Sequence, residues 1–126
     1  MTDSECPFCE PVAAEIITRT DMVTVFRDGF PLSQGHTLIV PTRHVGSFFD
    51  LNDQEQTAVV STLRSVRDEL VDLHAPDGFN VGFNDGPAAG QTVDHCHVHV
   101  IPRYLGDVPD PRGGIRWVVP DKAEYW

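Results

Sequence analysis

With 126 residues, 40% of them hydrophobic and 22% charged, the chain has enough material for one buried core and too little for two, so a single domain over 1–126 is expected. Nineteen acidic residues against nine basic ones leave a net charge of -10, and a surface that repels phosphate backbones excludes nucleic acid as the partner. No stretch reaches the roughly 20 apolar residues of a membrane span, and the start, MTDSECPFCE, has neither the basic nor the apolar segment of a secretory signal, so a cytoplasmic protein without a membrane partner is expected.

In chain order, Cys6 and Cys9 come first, with two residues between them. That spacing suits zinc, with a redox pair as the alternative. Residues 14–19 and 22–28 read as two short strands in a hairpin around Thr20-Asp21, followed by a turn-rich loop at 29–35. His36 to Val40 is a β-type run closed by Pro41. A helix is expected over 53–74: Asn52 and Glu55 form a capping-box pattern, and Val59, Leu63, Val66, Leu70 and Leu73 recur in steps of four and three. Ala75-Pro76-Asp77-Gly78 stops it. A strand over 79–84, a loop over 85–92 and a last strand over 94–102 follow. The tail from Tyr104 is rich in proline and glycine and reads as loop, yet Trp117, Tyr125 and Trp126 give it more aromatic surface than a free tail should carry. Antiparallel strands with one long helix across a face predict an α+β sandwich.

The segment His95-Cys96-His97-Val98-His99-Val100-Ile101 carries the most chemistry. In a strand the three imidazoles share one face, about 6.6 Å apart in a row, while Cys96, Val98 and Val100 face the other way. A half-buried strand with one structural histidine is a common pattern, but three in register have no packing rationale. A metal site is the competing reading, because His-x-His pairs bind zinc. The preceding loop, Asp85-Gly86-Pro87-Ala88-Ala89-Gly90-Gln91-Thr92, offers glycines for close backbone approach. Its free N–H groups, the Gln91 amide and the Thr92 hydroxyl are candidates to ring a phosphate.

The histidine segment matches the His-φ-His-φ-His-φ-φ motif, where φ is apolar, and the chain resembles the histidine-triad (HIT) superfamily. The likeness extends over Cys-Pro-Phe-Cys, Phe26-Arg27-Asp28, Gly35 to Pro41, His44 and Asn84 to Arg103, and is strongest to bacterial proteins of its HINT branch, with the 85–92 loop close to the Fhit branch. The resemblance implies a nucleotide hydrolase or transferase in which His97 attacks the α-phosphorus of a dinucleoside polyphosphate and forms a nucleotidyl-histidine. It places His99, His36 and Gln91 beside the phosphate oxygens and Thr92 near the leaving group. Asp28 takes the position of the acid that grips the ribose hydroxyls, and Asn84 that of a polar ribose or phosphate contact. Taken alone, Asp28 is equally a turn aspartate and His36 a strand-start residue facing solvent. Phe30 and Ile16 fall near apolar positions that flank a purine in relatives, and equally suit a core. Bacterial relatives with the cysteine pair complete a zinc site with the histidine of Pro-x-x-His and the first triad histidine, here His44 and His95. A closed Cys2His2 shell implies structural Zn(2+) with no open position for water. The resemblance further implies a homodimer with a joined sheet, its tail near the dimer axis. Competing readings are a purine nucleoside phosphoramidase, a nucleotide-binding regulatory module, a zinc hydrolase using His97 and His99 as ligands, and a redox switch through Cys6 and Cys9.

Overall fold

The computed structural model describes residues 5–126. Strands β1 (Ile16–Arg19), β2 (Val23–Arg27) and β3 (Thr37–Pro41) precede the helix α1 (Asp53–His74), and β4 (Gly78–Gly82) and β5 (Val98–Arg103) follow it. All pairings are antiparallel, in the order β1-β2-β3-β5-β4. The α+β class is as expected, one long helix on a five-stranded antiparallel sheet.

Side-chain alternation divides the sheet into two faces. Val23 and Val25 of β2, Ile39 of β3, and Val98 and Val100 of β5 bury themselves with Val59, Val66 and Leu70 of α1. The opposite face carries Phe26, Leu38 and Val40, with Phe8 and Ile16 packed on them. His99 is on this second face, opposite Leu38 of β3 and Gly82 of β4. The helix therefore completes one core and leaves the other face to the histidines.

Helix α1 begins where its sequence says: Asn52 Oδ1 accepts from Glu55 N–H at 2.8 Å, and Glu55 Oε1 accepts from Asn52 N–H at 3.0 Å. Glu55 also takes a bidentate pair from Arg43 at 2.8 and 3.1 Å, tying the cap to the loop after β3. The apolar stripe ends one turn early. Leu73 is 57% exposed; in the last turn it is His74, four residues beyond Leu70, that faces Gly35. Gly35 has φ +92°, and a Cβ there would stand 2.8 Å from Leu70 Cδ2 and 3.0 Å from His74 Cδ2. Gly35→Ala is expected to lose about 2–3 kcal/mol in urea unfolding, from backbone strain and overpacking together.

Two further expectations need correcting. The last strand starts at Val98 and not at 94, because Cys96 N–H donates at 2.6 Å to Val45 O in the loop after β3, outside the ladder. His95 and His97 thus precede the regular strand, although Cys96 still turns into the helix-side core. The tail is not plain loop: it forms 3-10 turns at Gly114–Val118 and Pro120–Lys122. Arg116 donates to the carbonyls of Lys122 and Ala123 at 2.7 and 2.9 Å, and the guanidinium carbons of Arg112 and Arg116 lie 4.7 and 4.9 Å over the rings of Trp126 and Tyr125. No helix among the described residues is long and apolar enough to cross a membrane.

Candidate active site and metal centre

The His97 ring is buried on the face opposite α1. Its Nδ1 lies 2.8 Å from the His95 carbonyl. A carbonyl only accepts, so the proton of the neutral ring sits on Nδ1 and Nε2 keeps its lone pair. Two rings hold it edge-on, Phe8 at 4.8 Å and His99 at 5.2 Å between centroids. Phe8 was not singled out from the sequence. The signal was there, as the apolar residue inside Cys-Pro-Phe-Cys that must follow its neighbours wherever a metal pins them.

His36 lies behind His99. Its Nε2 is 2.9 Å from His99 Nδ1 and 3.4 Å from Asp28 Oδ2, while its Nδ1 accepts from Leu32 N–H at 3.0 Å. His36 is only 2% exposed, with His99 between it and the open side of the site. Asp28 is held by a turn of its own, Oδ1 accepting from Phe30 N–H at 2.8 Å, which leaves Oδ2 toward the two imidazoles. Burial pushes the His99 imidazole down to about 4, with His97 and His36 adding to the shift and Asp28 opposing it. Burial lowers His36 as well, again against Asp28. Both rings are therefore neutral near pH 7. Between about 4 and the ordinary 6.5, the unfolded chain binds a proton at His99 that the folded chain refuses. Stability is expected to fall as pH drops through this window, and thermal unfolding of His99→Gln should show a shallower slope than the parent.

Four donors gather where the N-terminal segment meets the loop after β3. Cys9 Sγ lies 3.1 Å from His44 Nδ1 and 3.5 Å from His95 Nδ1; Cys6 Sγ is 3.4 Å from His95 Nδ1, and the two Nδ1 atoms are 3.2 Å apart. Zinc bonds of about 2.3 Å to sulfur and about 2.0–2.1 Å to nitrogen put tetrahedral ligands roughly 3.3–3.8 Å apart, so the cluster has the dimensions of such an ion. The chemistry agrees: His95 Nε2 donates to Pro41 O at 2.8 Å, which leaves the Nδ1 lone pair facing the thiols. None of the three cysteines is in a disulfide. The residues fit a closed Cys2His2 centre, a possible metal site that uses His95 and leaves His97 and His99 out.

The glycine-rich loop differs from expectation. It contains a 3-10 turn at Pro87–Ala89, and the N–H groups of Gly86, Ala89, Gly90 and Gln91 all donate within the loop. The Gln91 amide donates to Gly46 O at 2.8 Å and Val93 O at 3.1 Å while Oε1 accepts from Gly86. The loop is braced from within, and Gln91 ties it to the segment after His44. Thr92 and Asn84 are exposed at its two ends. Phe30 is 90% exposed, whereas Ile16 packs against the Phe26 cluster, so the structure does not bring this proposed pair into one contact set.

The HIT domain family matches residues 11–106. The chain is 36% identical over 97 residues to the asymmetrical bis(5'-nucleosyl)-tetraphosphatase of Schizosaccharomyces pombe, covering 77% of this chain and 53% of that one. It is 32% identical over 105 residues to the AP-4-A phosphorylase of Mycobacterium tuberculosis, covering 82% and 54%. It spans about half the length of each of these enzymes. Among solved structures it is similar to a zinc-bound histidine triad family protein from Mycobacterium smegmatis, with a TM-score of 0.74, 30% identity and 86% of each chain covered. The profile, the relatives and the row of imidazoles on the sheet's free face converge, and the chain belongs to the histidine-triad (HIT) family.

Proposed function

We propose that this HIT protein hydrolyses dinucleoside polyphosphates through a nucleotide carried transiently on His97. The observation that carries the reading is the His97 Nδ1 contact to the His95 carbonyl at 2.8 Å, which leaves Nε2 as the nucleophilic nitrogen of a buried, fixed ring. Nε2 attacks the α-phosphorus, an N–P bond forms, and the P–O bond to the remaining phosphates breaks. Water then attacks the same phosphorus, the N–P bond breaks, and a nucleoside monophosphate leaves with the water oxygen. His99, neutral and carrying its proton on Nε2, donates to a phosphate oxygen, and His36 orients it from behind. Asp28 offers Oδ2 to a ribose hydroxyl, with Asn84 and Thr92 at the ends of the loop for polar contacts to sugar and leaving group. Phe30 and Ile16 are assigned to a purine base. Gln91 holds the loop's shape. Zn(2+) in the Cys6, Cys9, His44 and His95 centre is structural: it joins the N-terminal segment to the sheet and supplies no water.

The test is a panel of diadenosine tetraphosphate, diadenosine triphosphate and an adenosine phosphoramidate, followed by phosphorus NMR in oxygen-18 water with and without inorganic phosphate. Hydrolysis places the label on AMP. Release of ADP only when phosphate is added would assign phosphorolysis, the reaction named for the mycobacterial relative, and faster turnover of the phosphoramidate would move the protein to the amine-releasing class. Binding without turnover would make it a nucleotide-binding module.

Homodimerisation belongs to the same proposal. Strand β4 pairs only with β5 among the described residues, so its other edge is open. A shallow hollow beside it is lined by Leu63, Phe79, Val81 and Val100 with Arg64 and Arg67. Val81, 48% exposed on this edge, is the residue to change. Val81→Asp is expected to give a folded monomer in analytical ultracentrifugation where the parent sediments as a dimer.

A further inference from the structure

Asp28 Oδ2, His36 Nε2 and His99 Nδ1 form a second group of metal-type donors, all within 4.8 Å of one another and separate from the Cys2His2 cluster. Their separations are 2.9, 3.4 and 3.9 Å. A tetrahedral ion with bonds of about 2.0–2.1 Å spaces nitrogen and oxygen ligands roughly 3.4 Å apart. By distance alone, two imidazoles and a carboxylate make a three-point cation site within the proposed nucleotide site.

The hydrogen bonds say otherwise. Leu32 N–H points at His36 Nδ1, 3.0 Å away. An amide N–H only donates, so Nδ1 is the bare nitrogen and the proton of the neutral ring is on Nε2. That proton faces His99 Nδ1, which must therefore be bare too, and the His99 proton is on the outward Nε2. The triangle consequently already contains a proton shared with its acceptor. For His36 to ligate a cation, Nε2 must lose that proton. The ring then either becomes an imidazolate or takes the proton on Nδ1, which removes the acceptor from Leu32 N–H. The loop that carries the amide is tied down by its own hydrogen bonds. Asp28 N–H donates to His36 O at 2.9 Å, His36 N–H to Ser33 O at 3.1 Å, and the Ser33 hydroxyl to Pro102 O at 2.7 Å, so the loop from 28 to 36 is closed at both ends.

We propose that the backbone N–H of Leu32 is a positioning group that sets the tautomers of His36 and His99 in series, and so keeps the Asp28–His36–His99 triangle open to nucleotide and closed to divalent cations. The consequence for nucleotide rests on the function proposed above; the tautomers and the refusal of metal do not. Long-range proton–nitrogen NMR of the histidine-labelled full chain, prepared with one equivalent of zinc, is expected to show Nε2–H on both His36 and His99, unmoved by further zinc. A proton on Nδ1 of either ring, or zinc-dependent shifts at these two rings, overturns the proposal. Replacing Leu32 by its α-hydroxy acid, so that an ester deletes only the N–H, is expected to free the His36 tautomer and to let zinc raise the apparent Kd for AMP in proportion to its free concentration. Leu32→Ala keeps the N–H and should behave as the parent. An ester variant with the parent's tautomers and zinc indifference refutes the role of the amide. Should AMP fail to bind the parent, the nucleotide reading fails, while the ring tautomers still decide this one.

Discussion

His97→Ala is expected to abolish turnover, with a loss in kcat on the order of 10^4-fold or more, while the protein stays folded. The magnitude follows from deleting the nucleophile of a covalent pathway, where residual rate comes only from binding and charge stabilisation. The ring borders the cluster of Phe8 and Phe26, so the substitution leaves a cavity and costs about 1–3 kcal/mol of stability. Circular dichroism and nucleotide binding should therefore remain close to the parent. Two measurements check the chemistry: single-turnover kinetics, and mass spectrometry of acid-sparing quenches for the nucleotide adduct. A His97→Ala protein with the parent's rate would eliminate the covalent pathway. His99→Gln is the informative companion, since it keeps the nucleophile and should accumulate or slow the intermediate without erasing it.

The second large effect is expected at the other cluster. Removing the metal from the Cys6, Cys9, His44 and His95 centre, by chelation or by Cys9→Ser, should lower Tm by on the order of 10 °C or more. The physical reason is leverage. The N-terminal segment reaches the sheet through Phe8 and these two thiols, and Phe8 in turn seats the His97 ring. Chelation is expected to destabilise the parent and to leave Cys9→Ser unchanged, and equilibrium binding should return one zinc per chain by mass spectrometry under non-denaturing conditions. An unchanged Tm after complete metal removal would show that the thiols pack without help. If activity fell instantly on chelation with no loss of fold, the competing zinc-hydrolase reading would replace the one proposed.

Local chemistry made some of this protein legible in its sequence. The cap of α1 could be named because Asn52 and Glu55 interact three residues apart, needing no knowledge of the rest. The faces of β5 followed from alternation, with His99 on one side and Val98 and Val100 on the other, as did the inward course of Cys96. What failed depended on partners distant in sequence. The early histidines fall outside β5 because Cys96 donates its N–H to Val45 O and not to a ladder neighbour. Leu73 leaves the core because it is Leu70 and His74, four residues apart, that face Gly35 at the end of the helix. Gln91 is a short donor at the end of a glycine loop, yet both amide contacts go to carbonyls, one of them 45 residues away. His36 was located by motif, but its depth behind His99 is a fact of packing. Leu32 had no signal at all, since the group that matters there is a backbone N–H that every residue but proline possesses.

His95 shows what such economy entails. Its ring faces the thiols through Nδ1 and Pro41 through Nε2, and its own carbonyl holds the proton of His97. One residue thus ends two circuits, a side chain in the first and a main-chain oxygen in the second. Exchanging that side chain disturbs the anchorage of the amino-terminal arm and, in the same stroke, the aim of the neighbouring nitrogen. Kinetic loss at this position will always arrive mixed with loss of fold, and the two can be told apart only at residues that serve one circuit alone.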